Sequence, residues 1–570
     1  MISVATSPGL YFTRAPRPTE ASPLRSDVGG FIGRTRRGPI GQPVRVEEWR
    51  GFIRVFGGLL KDADTPYAIR GYFENGGEVA YVVRLGEPFP TDEQFRSPDR
   101  DDAEPDLTNV ATGLWTLGQL DPQSRQWQDD SPAGGGFEYA EYTIEATSPG
   151  EWANGTRISI NYRFDGVSGK PELDMTIQPP DEPGEYLFGL KPGLRIGDES
   201  KPIEEQVAEQ SNFIRLRPTG PKAVASASVG RRHIAFKEVV LTGGLDVAPS
   251  IERYHQAIQR IGDEPEVALT CVPDLYTDVD SDEDQKEILM RLIQQAEEAR
   301  DRMVIVDFPP QLGAEVKASQ VESLIGWAKE LRNLDQSGAM RAAAIYHPPL
   351  RVPDPLGDIT TPLRTVPPSG HVAGLISLLD RQRGAHHTPA NAELIDAVDI
   401  EQEFMEPERA LLNDAGINLL RCVPGRGLQV WGGRTLSANQ PASDAQLSAA
   451  SPAEKSARFV AHRRLIHRLI RAIRRVAEPL VFDLNGPELW LTFVRAVTTV
   501  LLEAFRAGAL KGARAEEAFR VRCDAKTNPP TEVDQGRVLC EIELAPATPM
   551  EFILLRVALS SDGTLEVFES

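Results

Sequence analysis

The sequence predicts a multidomain chain of mixed α/β and α+β class. Three observations carry this. From residue 225 onward, strand patterns alternate with helical ones, the signature of βαβ units in a mostly parallel sheet. Residues 137–224 hold period-two runs such as FEYAEYTIEA and TRISINYRF, which predict a β-rich unit. Residues 479–557 run helix, Gly-rich stop, strand, CDAKTNPP loop and two more strands, an α+β arrangement. At 570 residues the chain is too long for one core, so several domains are expected.

In chain order, residues 1–27 carry four prolines and few apolar residues and predict an N-terminal arm. Within it, Leu10, Tyr11, Phe12 and Thr13 read as one short strand, which needs an edge supplied by something else. The alternative is an unstructured terminus. Residues 28–86 form a first core segment: a strand from Val28, a Gly/Pro turn, a short helix, and a helix over Asp64–Asn75 stopped by Gly76-Gly77. The run EVAYVVRL (78–85) is then a strong strand. Residues 87–224 read as an inserted outer region. Its first part, 87–135, is predicted exposed and partly irregular, because 87–106 hold eight acids, two arginines and several prolines. Its second part, 136–224, is the β-rich unit.

The α/β domain is placed at 225–450. It predicts strands at Val267–Val272, Met303–Phe308, Ala342–Tyr346 and Ile417–Cys422, with helices at 284–299, 316–333 and 370–380. Three strands end alike, in Val272-Pro273-Asp274, Phe308-Pro309-Pro310 and His347-Pro348-Pro349, where proline stops the ladder. A C-terminal domain follows at 451–554, with an apolar core helix from Pro487 to about Phe505 and strands at Glu517–Asp524, Gly536–Leu544 and Glu551–Ala558. Residues 555–570 are set apart as a C-terminal arm.

Net charge is −21, which disfavours nucleic acid and anionic membrane as partners. Against that background residues 455–476 hold seven arginines, one lysine and no acid. On a helix, Phe459, Leu465, Ile466, Leu469, Ile470, Ile473 and Val476 share one face. Arg464, Arg468, Arg471 and Arg475 form a stripe nearly opposite. Two readings stand: a solvated face paired with acids of the same chain, or a docking surface for an acidic partner.

Catalytic motifs are missing. Gly166-Val167-Ser168-Gly169-Lys170 is too short for a phosphate loop, and there is no G-x-G-x-x-G after a strand and no G-x-S-x-G. Ser369 and His371 share one short loop, which cannot alone give triad geometry. His371, His386 and His387 with Asp380 match no strong metal spacing. Cys271, Cys422, Cys523 and Cys540 are far apart and read as reduced, buried thiols. The start MISVATSPGLYF shows no signal peptide, and the longest apolar stretch, Leu489–Phe505, is broken by Arg495 and Glu503. No cofactor, no metal and no enzyme activity are expected.

Several strings resemble the contractile tail sheath proteins of phages and phage-derived injection systems. They are GPIGQPVRVEEWRGFIRVFGG (38–58), RGYFENGGEVAYVVR (70–84), SPGEWANGTRISI (148–160), TGGLD (242–246), VPPSGHVAGLISLLDRQRGAHHTPAN (366–391), VWGGRTL (430–436) and the 479–557 stretch. The resemblance covers roughly 1–86 and 225–560. Two departures are visible: Asn485-Gly486-Pro487-Glu488 stands where the family has NDPE, and Thr13-Arg14 where it often has acids. The resemblance implies a subtilisin-like fold for the α/β domain. It also implies hexameric rings stacked into a helical tube around an inner tube, built in the cytoplasm and contracting from a metastable extended state. Arms then add strands to neighbouring subunits, with Leu10, Tyr11, Phe12, Thr13, Leu555, Val557, Leu559, Leu565 and Val567 as the linking residues. Arg464, Arg468, Arg471 and Arg475 become the inner-tube contact. Implied partners are further copies of the chain, the inner tube protein, and baseplate and terminator or cap proteins, with no nucleic acid and no direct membrane insertion. The alternatives are a non-contractile baseplate or shell component of the same fold and, third, a hydrolase.

Overall fold

Six parallel strands form the middle of an eight-stranded sheet, in the order 80–84, 29–33, 269–271, 303–306, 343–347 and 417–423. An antiparallel strand closes each edge, Val44–Val46 on one side and Gly427–Trp431 on the other. This computed structural model describes residues 25–86, 110–117, 120–121, 126–127, 137–164, 171–191, 201–218, 223–225, 236–313, 317–437, 457–480, 483–534, 537–547, 555–559 and 565–569.

Side chains alternate across the sheet, so each strand feeds two cores. Ile32, Val83, Val304, Val306 and Ile345 join a core with the helices Ile251–Gly262, Asp282–Ala299, Lys317–Leu334 and Glu406–Asp414. Phe31, Val82, Leu269, Ile305 and Tyr346 join the opposite core with the helices Trp49–Phe56, Thr65–Glu74 and Ser369–Arg383. The last two helices cross at glycine contacts. A Cβ on Gly71 would lie 2.2 Å from His371 Cε1, and one on Gly374 would lie 2.3 Å from Tyr72 O. The helices 251–262 and 406–414, and the small antiparallel sheet of 350–353, 363–366 and 399–400, were not anticipated by the sequence pattern.

The inserted region that the sequence expects to face outward holds two four-stranded sheets. Two expectations need correction here. Thr112–Leu117 is not irregular: it pairs antiparallel with Phe137–Ala146, and Trp115 is fully buried, stacked on Tyr142. The acids and prolines of 87–106 do not extend to TGLWTL, which carries the apolar bulk of a strand. The segment 87–109 itself lies outside the described residues. Likewise Phe236–Val240 pairs with 157–164, so the outer unit extends past residue 224. Arg84 ties this unit to the body by donating to the carbonyls of Gly38 (2.9 Å) and Pro149 (2.8 Å).

In the C-terminal part, Leu465 and Leu469 of the helix Val460–Ala477 pack on Val497 and Leu501 of the helix Pro487–Arg506. An antiparallel hairpin, Phe519–Arg522 with Glu541–Leu544, completes it. Asn528 of the CDAKTNPP loop explains that motif: its side chain donates to Leu539 O (2.9 Å) and accepts from Leu539 N (2.6 Å), pinning the loop to the residues that lead into the second strand. The expected core helix 487–506 buries only Trp490, Val497 and Leu501, and Leu491 remains 51% exposed. So small a unit cannot cover an all-round apolar helix.

Candidate functional site: the seam around the basic helix

The carboxyl ends of parallel strands are where an open α/β sheet would hold a ligand. Here this chain's own helix starts fill that position. Asp274, fully buried beyond the strand 269–271, accepts from the backbone N–H of Arg34 (2.7 Å), Asp64 and Thr65 (3.0 Å) and so caps the helix 65–74. Asp307, beyond the strand 303–306, accepts from Ser369 N (3.0 Å) at the start of the helix 369–383. Burial outweighs the hydrogen bonding with Ser369 and pushes Asp307 up to about 7.

Ser369 and His371 are both buried on that helix, and the His371 ring lies against Gly71, where burial lowers its pKa to about 4. They form no accessible pair. The rings of His386 and His387 lie tilted against each other, centroids 4.3 Å apart, beyond the helix end. Asp380 is an ion-pair partner of Arg464. Among the described residues no group of three or more His, Cys, Asp or Glu could hold a metal, and no helix is long and apolar enough to cross a membrane. Of the cysteines, Cys271 is buried, Cys422 exposed, and Cys523 and Cys540 half-buried, so burial of all four needs correcting: Cys422 lies on the penultimate strand near the sheet edge.

The arginine stripe lies in the seam between the α/β domain and the C-terminal helix. Its outward-facing geometry is corrected by the structure: Arg464 is 4% and Arg471 1% exposed. Arg464 pairs with buried Asp380 and donates to Ser26 O (2.6 Å). Arg471 donates to the carbonyls of Asp301 (2.9 Å), Arg25 (2.6 Å), Glu266 (3.0 Å) and Val267, and burial lowers its pKa to about 10. The reason is that this helix has two neighbours. Leucines face the C-terminal helix and the opposite side faces the ends of the sheet, where unpaired carbonyls need donors. Arg468 and Arg475 remain half-buried.

Sequence reasoning missed the residues that meet this helix. Asp301 accepts from Arg474 (2.6 Å) and Arg302 (3.1 Å). Asp27 pairs with Arg25 (2.6 Å) and Arg381 (3.0 Å), and Glu78 with the same two arginines (2.7 and 3.1 Å). Ser26 Oγ donates to Asp380 (2.9 Å). The pairs that tie this region together, such as Ser26 with Asp380 and Asp27 with Arg381, lie 354 residues apart and leave no local signal.

Of the proposed linking residues, Leu10–Thr13 lie outside the described residues. Leu555, Val557 and Leu559 lie on one strand of an antiparallel hairpin, opposite Glu569, Val567 and Leu565. That hairpin joins no other sheet among the described residues, and neither does 519–522 with 541–544.

The phage tail sheath protein central domain matches residues 251–436, and the phage tail sheath C-terminal domain matches residues 453–560. The chain is 27% identical over 204 residues to the tail sheath protein of Vibrio phage KVP40, a match covering 35% of this chain and 27% of that protein. It is 27% identical over 216 residues to a putative prophage major tail sheath protein of Pseudomonas aeruginosa, covering 37% of this chain and 50% of that one. The chain thus spans half or less of the curated relatives it matches. The fold is shared with the helical sheath of the anti-feeding prophage in its contracted state, with TM-score 0.52, 18% identity, and coverage of 98% of this chain and 100% of that one. With both family domains matched in order across more than half of its length, the chain belongs to the phage tail sheath protein family, whose members are structural proteins and not enzymes.

Proposed function

We propose that this chain is the subunit of a contractile tail sheath, a helical tube that shortens around an inner tube. The supporting observation is the C-terminal part. Its sheet has two strands, both outer edges are open among the described residues, and the core helix beneath is half uncovered. A two-stranded sheet is marginal alone and is completed by strands from elsewhere. Arms from neighbouring copies, carrying Leu10–Thr13 and the 555–569 hairpin, are the matching occupants. A head-to-tail contact of this kind, repeated with rotation and rise, gives a helical assembly.

The α/β domain is read as the subtilisin-like body of the sheath, present without a working site because its helix caps fill the strand ends. Energy for contraction is stored at assembly, in an extended lattice less stable than the contracted one. Partners are other copies, the inner tube, and baseplate and terminator or cap proteins, with the particle built in the cytoplasm. Of the arginine stripe, Arg468 and Arg475 remain available for the tube, whereas Arg464 and Arg471 are committed within the chain.

Negative-stain microscopy of the purified protein, alone and with an inner tube protein, tests the reading. Long cogwheel tubes are expected. Discrete rings alone would favour a baseplate or shell component of the same fold, and monodisperse particles with catalytic turnover would overturn both.

A further inference from the structure

The buried arginines hold main chain, not only charge. Arg464 donates to Ser26 O at 2.6 Å and Arg471 to Arg25 O at 2.6 Å. Asp380, the partner of Arg464, also accepts from Ser26 Oγ at 2.9 Å. One residue on, Arg381 holds the Asp27 carboxylate at 3.0 Å. Three consecutive residues, Arg25, Ser26 and Asp27, are therefore gripped from the helices 460–477 and 369–383. Beyond Asp27 the chain enters the sheet at Gly29, in the middle of the body.

We propose that the basic helix is the anchor of the N-terminal arm: Arg464 and Arg471 clamp the arm's root at residues 25–27, so that tension on the arm reaches the seam between the α/β domain and the C-terminal part. The clamp suits a load-bearing role. Guanidinium groups reach the carbonyls regardless of the arm's side chains, and a fork of fixed donors holds the backbone in one direction. Arg471 joins the root to Glu266, Val267 and Asp301, the lead-ins to two adjacent sheet strands, so load spreads into the sheet rather than peeling one strand. The same helix carries Leu465 and Leu469 into the C-terminal core, so root, sheet and C-terminal part meet on one rigid element. The load-bearing part of the proposal rests on the sheath reading. The clamp itself does not.

Backbone hydrogen exchange on the full-length subunit tests the clamp. In Arg471→Lys, which keeps the charge but loses the fork, exchange in a peptide spanning 25–33 should rise about tenfold or more, because the root opens locally. Arg474→Ala, which touches Asp301 and Ala299 but not the root, should leave that peptide unchanged. If Arg471→Lys does not fold, Ser26→Ala removes a single bond to Asp380 and should raise exchange there by a smaller factor. Unchanged exchange in a folded variant overturns the clamp. In assembled tubes, Arg471→Lys should assemble and then fragment on contraction. Tubes of that variant that contract intact would overturn the load-bearing role even if exchange rises. Should the unaltered protein form no tubes at all, the sheath reading falls, while the exchange result still decides the clamp.

Discussion

Arg464 and Asp380 form a pair that stabilises only as a pair, since both are buried and each is 7% exposed or less. Arg464→Met strands a buried carboxylate and should cost about 3–5 kcal/mol. The double variant Arg464→Met/Asp380→Leu removes both charges and should be more stable than the single one, as denaturant unfolding would register. Asp307 behaves differently, because burial raises it from 3.8 to about 7. Such a carboxyl holds its proton more tightly when folded, so its contribution is full below about pH 4 and is lost as pH rises towards 7. Asp307→Asn keeps the oxygen that Ser369 N needs. It should therefore be more stable than the parent by about 2–4 kcal/mol at pH 8, with the gap narrowing towards pH 5 and closing only below about pH 4. His371 and His347, depressed by burial to about 4 and about 3, act in the opposite sense: their contribution is full above about 6.5 and is lost as pH falls. They cancel in the comparison of variant with parent. A gap that widened towards pH 5 would contradict this account of Asp307.

At the scale of elements, the strand 112–117 separates two parts of the outer region. Replacing 87–109 by a short Gly/Ser linker should leave the subunit folded, because that segment's charge and proline content make it poor core material. Trp115→Ala, in contrast, should destabilise the outer unit by about 3–5 kcal/mol. Limited proteolysis should then cut within 137–240 while 251–436 stays intact. Cutting inside the α/β domain first would place Trp115 in the wrong core. The contrast also shows what was legible. The central sheet was readable because strands such as Met303–Val306 and Ala343–His347 are short, apolar apart from the terminal His347, and spaced by long helical patterns. The helix 460–477 was readable as a helix from its period, but its environment was not. A basic stripe looks the same facing solvent or facing a row of sheet-end carbonyls, and only the tertiary approach of Arg25, Glu266 and Asp301 distinguishes them. The helix 487–506 failed in the other direction: apolar on most sides, it looked buried, yet the subunit alone does not cover it.

For the whole molecule, a folded body and an unfinished C-terminal sheet point to an object completed by its own copies. Deleting residues 1–20, or truncating after Arg556, should leave a monomer with near-native circular dichroism and abolish tubes. Ordered contractile tubes from either truncation would remove that arm from the linking scheme. The central claim is that the two-stranded sheet of 519–522 and 541–544 is an acceptor for neighbouring chains. A cryo-electron microscopy reconstruction of the assembled particle measures this most directly. The account predicts that sheet extended at its edges by strands traced to residues 10–13 or 555–569 of adjacent subunits. A map of ordered tubes in which the sheet stays two-stranded, with subunits joined only through side chains, would contradict it.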